Sequence, residues 1–97
     1  MILSIAYARV DDASRQNLFG AWSDLLVGDK PSGLVDCYLL EADDTIQIAA
    51  IWESAEHHEN AVRGGSDHPG LHVFAACGVD PSHDVFKVVG RMHPTAS

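Results

Sequence analysis

Histidines in the second half of the chain are the residues best suited to move a proton. His58 lies three residues after Ala55 and four before Val62, a spacing that predicts one buried helical stripe. An imidazole that faces a pocket titrates near neutrality and can accept a phenolic proton. We therefore take His58 as a candidate catalytic base, with His72 on the following helix as the second candidate. The alternative is that His58 is a core or interface histidine hydrogen-bonded to backbone.

A metal site is the other chemistry that the histidines suggest. His68 and His72 are four residues apart, which can place two ligands on one helix face. Asp67 and His57 are candidates for a third ligand, but neither completes a recognisable set. We therefore predict no bound metal and no other cofactor. His68 also comes directly before Pro69, where its side chain can cap a helix.

Aromatic side chains are candidates for the walls of a pocket that holds a flat ligand. They are Tyr7, Trp22, Tyr38, Trp52 and Phe74. Ordinary core packing is the better explanation for each of them taken alone, and the pocket is suggested by the group. Arg9 and Arg91 lie near strand ends, where they could anchor an anion or form exposed salt bridges.

The composition restricts the class of partner. Six basic residues stand against 14 acidic ones, and the formal net charge is −8. Phosphate backbones and anionic lipids would repel such a surface, so we expect neither nucleic acid nor membrane as a partner. Cys37 and Cys77 are too few and too far apart for a disulfide-rich secreted domain, and the apolar start lacks signal-peptide features. The prediction is a cytoplasmic protein with reduced cysteines.

Hydrophobic periodicity and turn residues predict four strands and three helices in one domain over residues 1–97. The predicted strands cover 2–10, 34–41, 45–52 and 85–91, and the predicted helices run from Asp11 or Asp12 to Gly28, from Ser54 to about Arg63, and over 70–77 after Pro69. The stretch 79–84 is predicted to be a loop, and the tail from Met92 is predicted to be frayed. The order β-α-β-β-α-β with one extra helix is the α+β, ferredoxin-like split βαβ plan, with a four-stranded antiparallel sheet.

The second and third strands carry apolar residues at both odd and even positions. Residues 46–52, IQIAAIW, show this most clearly. A sheet with one wet face would alternate more regularly between apolar and polar side chains. Helices can cover one face, so we predict that a second copy of the chain covers the other and that the protein is a homodimer.

The segment 51–78, IWESAEHHENAVRGGSDHPGLHVFAACG, resembles the antibiotic biosynthesis monooxygenase family, most specifically from Trp52 to Phe74. The resemblance implies a dimeric α+β barrel in which two sheets face each other. It also implies an activity found in some members, which oxidise phenols to quinones with molecular oxygen and no metal or flavin. Other members degrade haem.

Departures from the family pattern bear on the choice of activity. Haem-degrading members use an asparagine, a tryptophan and a histidine. Only His72 matches the third of these, because Tyr7 or a neighbour stands at the first position and Ala61 at the second. Among the residues of the phenol-oxidising members, Trp52 and Asn60 can be aligned. Haem degradation is therefore the weaker hypothesis.

Three functional hypotheses follow from the residues and the resemblance. The first is a cofactor-independent monooxygenase acting with molecular oxygen on a small aromatic or quinone-type substrate. Its catalytic candidates are His58 and His72, and its substrate-binding candidates are Tyr7, Trp22, Trp52, Asn60 and Phe74. The second is a non-catalytic dimeric module that binds a small apolar ligand. The third is a structural dimer without a pocket.

Overall fold

The computed structural model describes residues 1–64, 68–92 and 94. These contain the elements β1 (Ile2–Arg9), α1 (Asp12–Val27), β2 (Leu34–Ala42), β3 (Thr45–Trp52), α2 (Ala55–Gly64), α3 (Pro69–Ala76) and β4 (Ser82–Lys87). In the described ranges, no helix has the length and apolar character needed to cross a membrane.

The four strands form one antiparallel sheet in the order β2-β3-β1-β4. The first and last strands of the chain are therefore neighbours, and β1 and β3 occupy the centre. This arrangement confirms the predicted ferredoxin-like plan. It also sets the register that matters for the site, because His83 on β4 lies directly opposite Ala6 on β1.

Helix caps lie where the sequence places them. The side chain of Asp11 accepts a hydrogen bond from the Ser14 amide at 2.7 Å, which begins α1. The Ser54 hydroxyl accepts from the His57 amide at 3.2 Å at the start of α2. His68 caps α3, where its Nδ1 accepts from the Leu71 amide at 3.3 Å. Each cap satisfies an amide that a helix leaves unpaired.

All three helices pack against the same side of the sheet, which we call the covered face. Its main core joins Leu18 of α1 and Phe74 of α3 to Ile46 and Ile48 of β3. A second group is formed by Ala50, Trp52 and Ala61 of α2. Gly70 lets α3 approach β1 closely, since a Cβ at this position would lie 2.7 Å from the Cβ of Ala6.

The other side of the sheet, the open face, carries apolar side chains that none of the described helices covers. Alternation and register place on it Leu3, Ile5, Tyr7, Tyr38, Leu40, Ile51 and Phe86. Tyr38, Leu40 and Phe86 are 45–51% exposed. The prediction that β3 has apolar residues on both sides is therefore confirmed, whereas the homodimer remains a prediction.

Two predictions about local structure are wrong. The last strand was expected over 85–91 but runs from Ser82 to Lys87. Ser82-His83-Asp84 has weak strand propensity, and its pairing with β1 overrides that preference. The strand ends at Lys87 because its partner there, Ile2, is the first residue of β1.

The buried stripe of α2 is also different from the expected one. His58 is buried as predicted, but Ala55 and Val62 are exposed and Ala61 is buried instead. The small side chain of Ala61 allows the helix to approach Trp52 on the covered face. Burial therefore follows the contact with the sheet and not the more hydrophobic residues of the helix.

Candidate functional site

Three histidines from three different elements meet on the covered face. His58 comes from the middle of α2, His68 from the cap of α3, and His83 from β4. Their ring centroids are 5.3 Å apart for His58 and His68, 5.4 Å for His58 and His83, and 5.1 Å for His68 and His83. We call this nearly equilateral group the histidine cluster.

Trp52 and Ser4 form the wall of the histidine cluster on the sheet side. The Trp52 ring centroid lies 5.7 Å from that of His58 and 5.6 Å from that of His68. Trp52 Nε1 donates to Ser4 Oγ at 3.0 Å, and Ser4 Oγ lies 3.4 Å from His68 Nε2. Trp52 and Ser4 are fully buried, so this polar group is held in an apolar layer.

The hydrogen bonds define which ring nitrogens are free. His68 Nδ1 accepts from the Leu71 amide, so the neutral ring of His68 carries its proton on Nε2. The buried Nε2 atoms of His58 and His83 have no hydrogen-bond partner among the described residues. Buried polar atoms usually have a partner, so these two nitrogens are unusual and could accept a proton or a ligand.

Burial keeps the cluster uncharged at neutral pH. It lowers the pKa of His68 to about 4, and the neighbouring His83 and His58 act in the same direction. The pKa of His58 is lowered by burial first and then by His83, and burial also lowers the pKa of His83. The uncharged rings of His58 and His83 therefore have lone pairs available at physiological pH.

A separate, open groove of about 540 Å³ lies between the end of α1 and the start of β2. Trp22, Leu25, Leu34, Cys37 and Pro69 are among its lining residues. Its volume is in the range of small-ligand sites, and most of these side chains are apolar. A smaller pocket of about 220 Å³ adjoins it and is lined by Pro31, Ser32, His57, Asn60 and Ala61.

The groove and the histidine cluster are neighbouring but distinct. Leu34 and Cys37 line the groove and pack against the buried group that contains Trp52. Pro69 lines the groove, and the residue before it, His68, belongs to the cluster. No cluster histidine lines either pocket, so Trp52 and its packing partners stand between the two features.

The predicted site residues are distributed over several regions. Trp52 contacts the cluster with His58, Trp22 lines the groove, and Asn60 lines the small pocket. Phe74 is fully buried in the main core. Tyr7 lies on the open face, where its hydroxyl donates to Asp84 at 3.1 Å. His72 is partly buried on α3 and is not a member of the cluster.

Sequence reasoning missed His83 and placed His68 only as a helix cap. The early start of β4 brings His83 into the sheet, and the antiparallel pairing with β1 turns it to the covered face. A ferredoxin-like plan with β4 extended to Ser82 would have predicted this position. Arg9, considered as an anion anchor, forms an exposed salt bridge with Asp44 at 3.7 Å. Cys37 and Cys77 are free thiols.

Comparisons with known proteins concern the fold as a whole. No family model and no curated protein matches the sequence. Solved structures match over almost the whole chain. SnoaB from Streptomyces nogalater, a cofactor-independent oxygenase, shares 15% identity with a TM-score of 0.68 and covers 97% of both chains. A candidate antibiotic biosynthesis monooxygenase from Nitrosomonas europaea shares 9% identity with a TM-score of 0.71, covering 93% of this chain and 100% of its own.

A similar protein from Deinococcus radiodurans, again named as a candidate antibiotic biosynthesis monooxygenase, has 11% identity and a TM-score of 0.67, with 98% and 99% of the two chains covered. The chain has the fold of these monooxygenase structures. The predicted resemblance to the antibiotic biosynthesis monooxygenase family is thereby confirmed at the level of the fold. At sequence identities this low, the likeness shows a shared fold and does not show a shared activity.

Proposed function

We propose that the chain is a cytoplasmic, homodimeric monooxygenase that acts on a small aromatic or quinone-type substrate with molecular oxygen and without a cofactor. The observation that carries the proposal is His58 Nε2, a buried nitrogen beside Trp52 with no hydrogen-bond partner among the described residues. A buried, uncharged imidazole is suited to accept a phenolic proton. The fold shared with SnoaB is in keeping with this chemistry.

The proposed reaction converts a phenol with a free para carbon and one O₂ into a para-quinone and one water. His58 removes the hydroxyl proton, which makes the ring electron-rich enough to pass an electron to O₂. The ring and the reduced oxygen then combine at the para carbon to form a peroxide. Cleavage of its O–O bond leaves one oxygen as the quinone carbonyl and the other as water. The substrate supplies all four electrons, and the two hydrogens of the water come from its hydroxyl and its para carbon.

The groove is the proposed entry and binding place for the substrate. Its apolar walls and its volume of about 540 Å³ suit a flat ring system. The proposal requires the substrate hydroxyl to reach His58 from this groove, past Leu34 and Cys37. An outward movement of these two side chains is thus part of the proposal.

Oxygen uptake with a soluble polycyclic phenol whose para carbon is free tests the activity directly. We expect His58→Phe to lower turnover by roughly 100-fold or more, the usual contribution of a general base. Substrate binding should change much less, because phenylalanine keeps the bulk of the ring. His72→Phe is the matched comparison, since His72 is also partly buried but lies outside the cluster. Loss of turnover in His72→Phe alone would transfer the role of base to His72.

The second candidate function is a binding module without turnover. The separation of the groove from the histidine cluster favours it, because a ligand in the groove does not touch a cluster histidine. A flat aromatic ligand would then bind with one site per chain and cause no oxygen uptake. Calorimetric titration together with an oxygen electrode distinguishes the two functions.

A further inference from the structure

We propose that His58, His68 and His83 form a three-histidine site for one divalent transition-metal ion such as Zn²⁺. This site was not expected from the sequence, in which only His68 and His72 had the spacing of a possible ligand pair. The proposal goes beyond the oxygenase function, and a chain with the ion bound would not use His58 as a base.

The size of the histidine cluster fits one ion. When three imidazoles bind a tetrahedral ion at about 2.0–2.1 Å per nitrogen, their ring centres lie roughly 5 Å apart. The three centroid distances are 5.1, 5.3 and 5.4 Å. The potential ligand nitrogens lie within 4.8 Å of one another. They would need to approach to about 3.3 Å, so the rings must turn in place while their centres stay nearly fixed.

The free nitrogens and the charges also favour a cation. His58 and His83 each have a buried Nε2 without a partner among the described residues, and the His58 side chain is 7% exposed. An acidic residue follows two of the ligands directly in the chain, Glu59 after His58 and Asp84 after His83. The net charge of −8 raises the local concentration of cations.

The three ligands are not equivalent. His58 and His83 can bind through Nε2 without losing a hydrogen bond. His68 must move its proton to Nδ1 before its own Nε2 can bind, and it then loses both the bond from the Leu71 amide and the contact of Nε2 with Ser4 Oγ. Three histidines leave the fourth tetrahedral position open to water or a small ligand. Because the metal would occupy His58 Nε2, metal binding and proton acceptance by His58 exclude each other.

Metal binding without substrate tests the proposal. After removal of any affinity tag and treatment with a chelator, Zn²⁺ binding is measured by equilibrium dialysis. Co²⁺ binding is followed by the visible absorption that a four-coordinate ion gives. We expect one ion per chain and a rise in the melting temperature on binding. Loss of a direct ligand in His83→Ala or His58→Phe should weaken binding by more than the roughly 10–100-fold that loss of an outer-shell partner costs.

His72→Ala is the control, because it removes a partly buried histidine outside the cluster and should bind as the wild type does. Should His83→Ala fail to fold by circular dichroism, His83→Gln serves in its place. The proposal is overturned if the wild type binds no ion, or if wild type and variants bind alike. Oxygen uptake with and without Zn²⁺ is measured separately, so a failed metal site and a failed oxygenase give different results.

Discussion

The two faces of the sheet are built from the same four strands, yet their apolar side chains are buried to different extents. On the covered face, Trp52 and Ile46 are 0% exposed beneath helices of their own chain. On the open face, Tyr38 and Phe86 are 49% and 51% exposed. Successive side chains of a strand point to opposite sides, so the same sheet contributes to both surroundings.

The difference shows which face of the sheet the chain buries with its own helices and which face it leaves exposed. The covered face holds the core, the histidine cluster and one wall of the groove. The open face places a large apolar surface in solvent, which a short chain of this kind can cover with a second copy. Changes on the covered face should therefore act on stability, and changes on the open face should act on assembly.

The largest effect is expected from Trp52→Ala on the covered face. Removing a fully buried tryptophan leaves a cavity and costs about 3–5 kcal/mol of unfolding free energy. It also leaves Ser4 Oγ without its donor from Trp52. Urea unfolding followed by circular dichroism measures the loss. A cost below about 1 kcal/mol would mean that this region repacks freely and does not hold the histidines in place.

A smaller effect, on assembly, is expected from Tyr38→Asp on the open face. Wild-type protein at micromolar concentration should scatter light as about twice the 10.4 kDa chain mass. A charge in the interface should cost about 2 kcal/mol or more of association, enough to shift the protein to monomer. Val27→Asp is the matched control, because Val27 is 88% exposed at the end of α1, on the helix side. A monomeric wild-type protein would contradict the predicted homodimer.

The smallest effect concerns a thiol on the covered face. Burial raises the pKa of Cys37 to about 11. In Cys77→Ser protein, Cys37 is the only thiol, and it should react slowly with iodoacetamide at pH 8, where about one thiol in a thousand is ionised. The rate should rise about tenfold per pH unit until pH approaches that pKa. A ligand in the groove should slow the reaction further, since Cys37 lines it. Rapid labelling at pH 8 would show that the groove side of the sheet opens readily.

Local signals predicted most of the fold and little of the site. Asp11, Ser54 and Pro69 are residues whose chemistry acts within a few positions, so the helix starts could be read from the sequence. His83 could not be placed, because its strand exists only through pairing with β1. The histidine cluster joins residues up to 25 positions apart, and no spacing rule links them. Phe74 shows the opposite failure, since an aromatic residue suited to a pocket wall fills the core instead.

His68 serves two parts of the molecule at once, as the cap of α3 and as a member of the cluster. Its Nδ1 holds the amide of Leu71, and its Nε2 faces Ser4. A ligand that changes the protonation of one ring nitrogen must change what the other can accept. The Leu71 amide is therefore a built-in reporter, and its hydrogen exchange with solvent should quicken when Nε2 becomes a metal ligand. The hydrogen-exchange rate of the Leu71 amide, in the first turn of α3, would therefore report whether a metal ion occupies the histidine cluster.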